Sequence, residues 1–231
     1  MQYLGGKSKI RKQVAAFLES VRKPDQVYFE PFVGGGWILQ EMTGKRIASD
    51  GNIALIAMYQ ALQDGWQPPE FVSEETYKST KDIMELSDPM TAFCGIGCCF
   101  GGYARSDVPR NYASNCKNSL MKQLPLIQDV KFESRLFQDW NPKNALIYCD
   151  PPYAGTTQYG AFDGFDHKLF WDKVRHWITL GNTVVVSEYD APEDFKCVAE
   201  FTSQMGMSVG DAVTRPKRVE RLFMHESQVG N

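Results

Sequence analysis

The sequence predicts an α/β fold with a mostly parallel central sheet flanked by helices. Three observations predict it. Residues 27–31 (Val-Tyr-Phe-Glu-Pro) read as a short buried strand that opens into the glycine run Gly34-Gly35-Gly36 and then a helical segment. Residues 46–50 read as a second strand ending in Asp50, and residues 146–149 as a third ending in Asp150. Strands that alternate with helical segments make a parallel sheet, because parallel neighbours need a crossover between them.

A chain of 231 residues accommodates one domain with a real core, or one domain with a small insertion. Its formal charge of −3 argues against wholesale coating of nucleic acid, while a local basic patch remains compatible with it. No apolar run approaches the roughly 20 residues of a membrane span. The N-terminus, Met-Gln-Tyr-Leu-Gly-Gly-Lys, lacks the apolar core of a signal peptide, so a cytoplasmic protein without membrane contact is expected. Six cysteines in such a chain are expected to be free thiols. Cys94, Cys98 and Cys99 lie close together, yet no Cys-x-x-Cys pair recurs and His167, His176 and His225 are far away in sequence, so no metal site is expected.

Taken in order, Tyr3-Leu4-Gly5-Gly6-Lys7 is a glycine turn that leads into a helix over about residues 9–22, with Ile10, Val14, Phe17, Leu18 and Val21 on its apolar face. After the strand at 27–31 and the glycine loop, residues 37–42 read as a helix ending at Gly44. The strand at 46–50 is followed by a helix over 52–64, broken at Gly65. Helical stretches over 74–86 and 89–99 read as packing helices. Residues 105–135 are the most basic part of the middle of the chain, with Arg105, Arg110, Lys117 and Lys122 beside Asn111 and Tyr112. Cations, amides and an aromatic suit phosphate grip and base-edge contact, although a basic helix face in solvent has the same composition. Residues 130–134 alternate like an edge strand.

Residues 154–160, rich in glycine and hydroxyls, predict a mobile loop over the site. Asp166 caps a helix with Leu169, Phe170, Val174, Trp177 and Ile178 as its buried stripe, ended by Gly181. Residues 183–187 form a core strand whose tip carries Ser187, Glu188 and Tyr189. Arg215, Lys217 and Arg218 make a second basic patch, read as phosphate contact on a β-hairpin, before a last strand at 222–224.

Two of these places carry chemistry. In the first, glycines let backbone approach a ligand with no Cβ in the way. Asp50 follows Glu30 by about 20 residues, the spacing at which an acid ending strand two meets a ribose hydroxyl. Leu39 stands where a dinucleotide loop would place its third glycine, and the loop has no Lys-Ser/Thr pair for phosphates. Ribose without phosphate fits S-adenosylmethionine. In the second place, Pro151 and Pro152 end the ladder and stiffen the exit loop, so Asp150 and Tyr153 are held near one another. A carboxylate beside an aromatic face suits a flat ring that carries an exocyclic amine.

Asp150-Pro151-Pro152-Tyr153 resembles the catalytic motif of the amino-methylating DNA methyltransferases. Phe32-x-Gly34-x-Gly36 after Glu30-Pro31, with Tyr3-Leu4-Gly5-Gly6-Lys7 ahead of it, is similar to the cofactor motifs of the Dam-like (D12 class, alpha group) N6-adenine enzymes. The order of the three motifs is more specific than any one of them. The resemblance implies a Rossmann-like methyltransferase fold, with a core of residues 1–64 and 136–231 and a small helical target-recognition insert at 65–135. It implies methyl transfer from S-adenosylmethionine to an adenine flipped out of double-stranded DNA by a monomer or weak dimer. Asp150, Pro151, Pro152 and Tyr153 would be catalytic. Tyr3, Gly6, Lys7, Glu30, Phe32, Gly34, Gly36, Asp50 and Asp150 would line the cofactor. Arg105, Arg110, Asn111, Tyr112, Lys117, Lys122, Arg215, Lys217 and Arg218 would contact DNA.

A cytosine-N4 enzyme shares this chemistry but more often carries Ser than Asp at position 150. An RNA amino-methyltransferase would also fit these motifs, and a nucleic-acid-binding relative could keep the fold without catalysis. An NAD-dependent dehydrogenase is disfavoured by the missing third glycine.

Overall fold

Short β-leaning runs bounded by Gly, Pro and Asp become the strands. The computed structural model describes residues 3, 6–98, 112–153, 164–204 and 217–230, and the side chains of all of these except 203, 204, 217 and 218. Among these residues seven strands form one sheet: β1 (Val27–Glu30), β2 (Arg46–Asp50), β3 (Lys131–Ser134), β4 (Ala145–Cys149), β5 (Thr183–Glu188), β6 (Phe195–Gln204) and β7 (Lys217–His225). Their order is β3-β2-β1-β4-β5-β7-β6. Helix α1 (Arg11–Val21) precedes β1, and α2 (Ile53–Gln63), α3 (Glu74–Ile83), α4 (Pro89–Ala92), α5 (Ala113–Ile127) and α6 (His167–Thr179) fall between the strands. This is the mostly parallel, Rossmann-like arrangement that the sequence predicts, and chain order reverses between β1 and β4. By contacts the chain divides into two compact units, one of Lys7–Glu30 and Asn141–Asn231, the other of Met1–Gly6 and Pro31–Trp140.

In the first unit β1, β4 and β5 run parallel, with Phe29 opposite Ile147 and Cys149 opposite Val186. Every residue of β4 and β5 is buried. Strands covered on both faces read as continuous apolar runs, which is why both were legible. The Ala145 N–H donates to Asn182 Oδ1 (2.9 Å), which fixes where β4 starts and so where Asp150 stands. β7 pairs antiparallel with β5 and with β6 in a hairpin. β7 is longer than the strand expected at 222–224. Helix α6 is capped by Asp166, whose Oδ1 accepts from Leu169 N–H (2.8 Å). It buries Phe170, Trp171, Val174 and Trp177, whereas Leu169, expected in that stripe, is 44% exposed. At about 100° per residue Trp171 lies on the opposite edge of the stripe from Leu169, so the buried face gains Trp171 at one edge and loses Leu169 at the other.

In the second unit β2 pairs with β3 in parallel, Asp50 opposite Ser134. Asn52 caps α2 through Leu55 N–H (3.2 Å). The expected helix at 37–42 is a single 3₁₀ turn, Leu39–Glu41. Gly36 and Gly44 both hold positive φ, so too few residues lie between them to repay helix nucleation. Helix α3 stops at Met84, which adopts the left-handed conformation, rather than at residue 86. The expected helix at 89–99 is α4 followed by a π-helical turn, Phe93–Gly97, closed by Cys98 N–H to Phe93 O (3.0 Å). A Cβ at Gly97 would stand 2.3 Å from Cys116 Sγ, so the wide turn brings bare backbone against α5. No helix among the described residues is long and apolar enough to cross a membrane.

Candidate functional site

Two clusters hold the residues predicted for catalysis and cofactor binding, one in each unit. The first lies at the C-terminal ends of β1 and β4, where the strand order reverses and where ligands of such sheets bind. The β4 ladder ends at Cys149, and Asp150 follows at once on its prolines. Lys7 Nζ donates to both Asp150 oxygens (2.8 and 2.9 Å) and to the Tyr153 hydroxyl (2.7 Å). The same ammonium lies 4.8 Å from the Tyr153 ring centroid and 3.3 Å from Glu220 Oε1. The Tyr153 hydroxyl in turn donates to Glu220 Oε1. Lys7 and Glu220 are almost wholly buried, while the Asp150 side chain keeps 25% of its surface.

Other groups brace this cluster. The Tyr153 ring meets the half-exposed Tyr189 edge-on (4.7 Å, 76°). Tyr148 pairs with Ser187 Oγ (2.8 Å), and Tyr28 donates to Glu30 Oε1 (2.6 Å). Burial pushes the Tyr153 hydroxyl well above its ordinary range, and the charges of Asp150 and Glu220 push it further. It is therefore a neutral donor at any physiological pH.

The second cluster is the glycine loop. Gly34 (φ +46) and Gly36 (φ +65) take backbone that L-residues avoid. A Cβ at Gly34 would stand 2.9 Å from the Tyr3 ring, and one at Gly35 would stand 2.9 Å from the Trp37 indole nitrogen. The loop is thus a cradle that side chains would fill. Asp50 holds it from below: its oxygens accept from Gly34 N–H (3.0 Å) and Asn52 N–H (2.9 Å). Burial raises the Asp50 carboxyl, and these two N–H groups offset part of that rise. Tyr59 donates to Gly34 O (2.9 Å). Gln123 Nε2 donates to Gly35 O (3.0 Å) and Gly36 O (3.1 Å). Phe32 packs on Phe137 (5.3 Å between centroids).

The structure therefore brings Lys7, Asp150 and Tyr153 together, with Glu30 buried on the neighbouring strand end. It gathers Tyr3, Gly6, Gly34, Gly36 and Asp50 in the other unit. Of the residues expected on nucleic acid, Tyr112 precedes α5, Lys117 pairs with Glu70 (2.9 Å) and Lys122 is exposed. Arg105, Arg110, Asn111 and Arg215 lie outside the described residues, as do the side chains of Lys217 and Arg218 and the expected loop at 154–160. Glu220 and Gln123 were not singled out by sequence. A period of two puts Glu220 on the face of Leu222 and Met224, all three buried, which is the signal that would have found it. Cys94, Cys98 and Cys116 are buried, and no group of three or more His, Cys, Asp or Glu among the described residues is placed to hold a metal.

Residues 3–89 match the family model of the D12 class N6 adenine-specific DNA methyltransferases. No curated protein matches the chain. Solved structures with a similar fold include a candidate RNA methyltransferase from Pyrococcus horikoshii, at 10% identity and TM-score 0.43 over 96% of this chain and 84% of that one. An rRNA methylase from Streptococcus thermophilus matches at 9% identity and TM-score 0.39, over 92% of this chain and 94% of that one. A SAM-dependent O-methyltransferase from Thermotoga maritima matches at 13% identity and TM-score 0.40, over 94% and 64%. Over residues 3–89, which carry the Gly-Gly-Lys segment, the glycine loop and Asp50, the chain is similar to the D12 class N6 adenine-specific DNA methyltransferases.

Proposed function

We propose that this chain methylates the N6 amine of adenine in double-stranded DNA, with S-adenosylmethionine as methyl donor. The observation that carries the reading is the partly open Asp150 carboxylate at the end of β4, held by Lys7 beside the Tyr153 ring. The family match of residues 3–89 supports the adenine target and DNA.

The glycine cradle fits the cofactor. It offers aromatic rings and a buried carboxylate, and the loop itself has no lysine for a phosphate. Tyr3, Gly6, Phe32, Gly34, Gly36 and Asp50 would hold the cofactor, with Lys7 and Glu30. S-adenosylmethionine would supply a methyl group on a sulfonium, from which a neutral thioether leaves readily. The protein's own work is then alignment. Asp150 and the Pro151 carbonyl accept the two amine hydrogens and draw the nitrogen towards sp³ character, so that its lone pair faces the donor. Asp150 need not be a strong base, because a nitrogen that has become cationic loses its proton easily. Tyr153 stacks on the base, and Pro152 stiffens the turn that carries both.

A duplex hides N6, so the base leaves the stack at a cost of about a few kcal/mol, offset by contacts in the pocket. In this reading residues 65–135 recognise the target and residues 1–64 and 136–231 form the catalytic core. Tyr112, Lys117 and Lys122 meet the DNA, with Arg105, Arg110, Asn111, Arg215, Lys217 and Arg218. The protein acts in the cytoplasm.

The test is tritiated methyl transfer from S-adenosylmethionine to unmethylated plasmid, followed by nucleoside analysis. Label in N6-methyladenine is the expected result. Label in N4-methylcytosine, or in RNA alone, would move the assignment to those acceptors. No binding of S-adenosylmethionine in equilibrium dialysis would overturn it.

A further inference from the structure

We infer that Glu220 is a positioning residue for methyl transfer: it takes over the Lys7 ammonium when Asp150 engages the substrate amine. The inference rests on the methyltransferase reading above. It starts from a conflict of hydrogen bonds. An ammonium has three donors. Those of Lys7 are matched by two oxygens of Asp150 and by the Tyr153 hydroxyl, at 2.7 to 2.9 Å. An amine that gives one N–H to Asp150 and the other to the Pro151 carbonyl needs a carboxylate oxygen that Lys7 now holds. A neutral amine does not displace an ammonium from a carboxylate unless the ammonium has somewhere to go. Lys7 is 6% exposed, so water is a poor substitute, and a buried charge left without a partner is strongly disfavoured.

Glu220 is the acceptor that can receive it. Its carboxylate is 2% exposed, and Oε1 already stands 3.3 Å from Lys7 Nζ. Tyr153 joins the pair, because its hydroxyl accepts from Lys7 and donates to Glu220. A shift of the ammonium towards Glu220 keeps it ion-paired and keeps its contact with Tyr153. The same shift leaves Asp150 ionised and open on the side where 25% of its side chain is exposed. Register explains why this acid comes from β7. β5 pairs with β7 so that Glu188 lies opposite Arg221, and the next residue of β7, Glu220, points inward while Arg221 points out to Glu200 and the Tyr189 carbonyl.

A double-mutant cycle on the full chain tests this. Glu220→Gln removes the charge and keeps the shape. It should lower kcat for DNA on the order of 30-fold, about 2 kcal/mol of transition-state stabilisation, with cofactor affinity unchanged. Glu220→Asp should recover part of the loss, and it serves as the second variant if Glu220→Gln proves unstable. The decisive arm is Lys7→Met. Once Lys7 is gone Glu220 has no ammonium to receive, so adding Glu220→Gln to Lys7→Met should cost no further activity. Full activity of Glu220→Gln, or losses that simply multiply in the double variant, would overturn the inference. Urea unfolding of the same four proteins measures the Lys7–Glu220 coupling without any turnover. If that coupling is present but the wild type transfers no methyl to DNA, the methyltransferase reading itself has failed and Glu220 is a structural counter-ion.

Discussion

Gly36→Ala measures what the glycine loop contributes to the fold, because a matched control exists in the same chain. Gly36 sits at φ +65 and Gly181 at φ +86, so a methyl group meets similar backbone strain at both, roughly 1 to 2 kcal/mol. At Gly181 nothing lies within 4 Å of the added Cβ, and strain is the whole cost. At Gly36 the Cβ would stand 3.0 Å from Gln123 Nε2 and 3.3 Å from the Tyr59 hydroxyl. A free amide would swing away cheaply. This one is only 3% exposed and donates to the carbonyls of both Gly35 and Gly36. Moving it weakens two hydrogen bonds, each worth about 0.5 to 1.5 kcal/mol net. Gly36→Ala should therefore cost roughly 2 to 4 kcal/mol, against roughly 1 to 2 for Gly181→Ala. Urea unfolding at constant slope reads the difference directly. Gln123→Ala should cost about 1 to 3 kcal/mol alone, and it should make Gly36→Ala cheaper by removing the group it strikes. Equal midpoints for Gly36→Ala and Gly181→Ala, or strict additivity with Gln123→Ala, would refute the close approach as the reason for glycine there.

Three further outcomes are expected. Asp150→Ala should abolish methyl transfer while cofactor binding, followed by dialysis, falls far less; a fully active variant would remove Asp150 from the mechanism. Tyr153→Phe keeps the ring and loses the hydroxyl between Lys7 and Glu220. It should lower turnover but leave the fluorescence change of a 2-aminopurine target intact, and wild-type turnover would count against the hydroxyl. The bidentate hydrogen bond from Arg175 holds the Asp194 carboxyl below its usual range. A depressed folded value means stability that is present above the unfolded value, near pH 4, and lost as pH falls through the folded one. Asp194→Asn should thus flatten the acid limb of the stability curve, and an unchanged limb would dismiss the pair.

What the sequence made legible was whatever is local. β4 and β5 are continuous apolar runs, Asp150-Pro151-Pro152-Tyr153 is contiguous, and Asn52 and Asp166 cap helices three residues away. What it hid depends on partners far along the chain. Helix α5 buries Ala113, Cys116, Leu120, Gln123 and Ile127, a 3-4-3-4 spacing that is helical. A glutamine in that stripe and Pro125 within the helix disguise it, and only the bonds from Gln123 to the glycine loop explain the glutamine. Arg46 likewise looks like an ordinary strand-start cation, yet it is buried and bonds the carbonyls of Leu39 and Leu126 and the carboxylate of Asp129. Glu220 was lost in its setting: it lies among Lys217, Arg218 and Arg221, and a count of charges reads a basic patch where the pleat turns one acid inward.

That inward acid changes how the electrostatics of the first cluster are understood. Burial raises the Tyr148 hydroxyl most, and Asp150, Glu220 and Glu30 each raise it further. Three carboxylates therefore act on one phenol, and the ammonium that meets two of them is that of Lys7. Charges crowded at a buried strand end destabilise the fold unless something offsets them. Under the proposed reading, a cation that arrives from outside would meet this negative charge. A sulfonium carried by an amino acid is such a cation, and so is a ring amine at the moment it gains a methyl group. Under the proposed reading, this arrangement would lower the energy of positive charge as it develops, which is where preorganised charges act most strongly in catalysis.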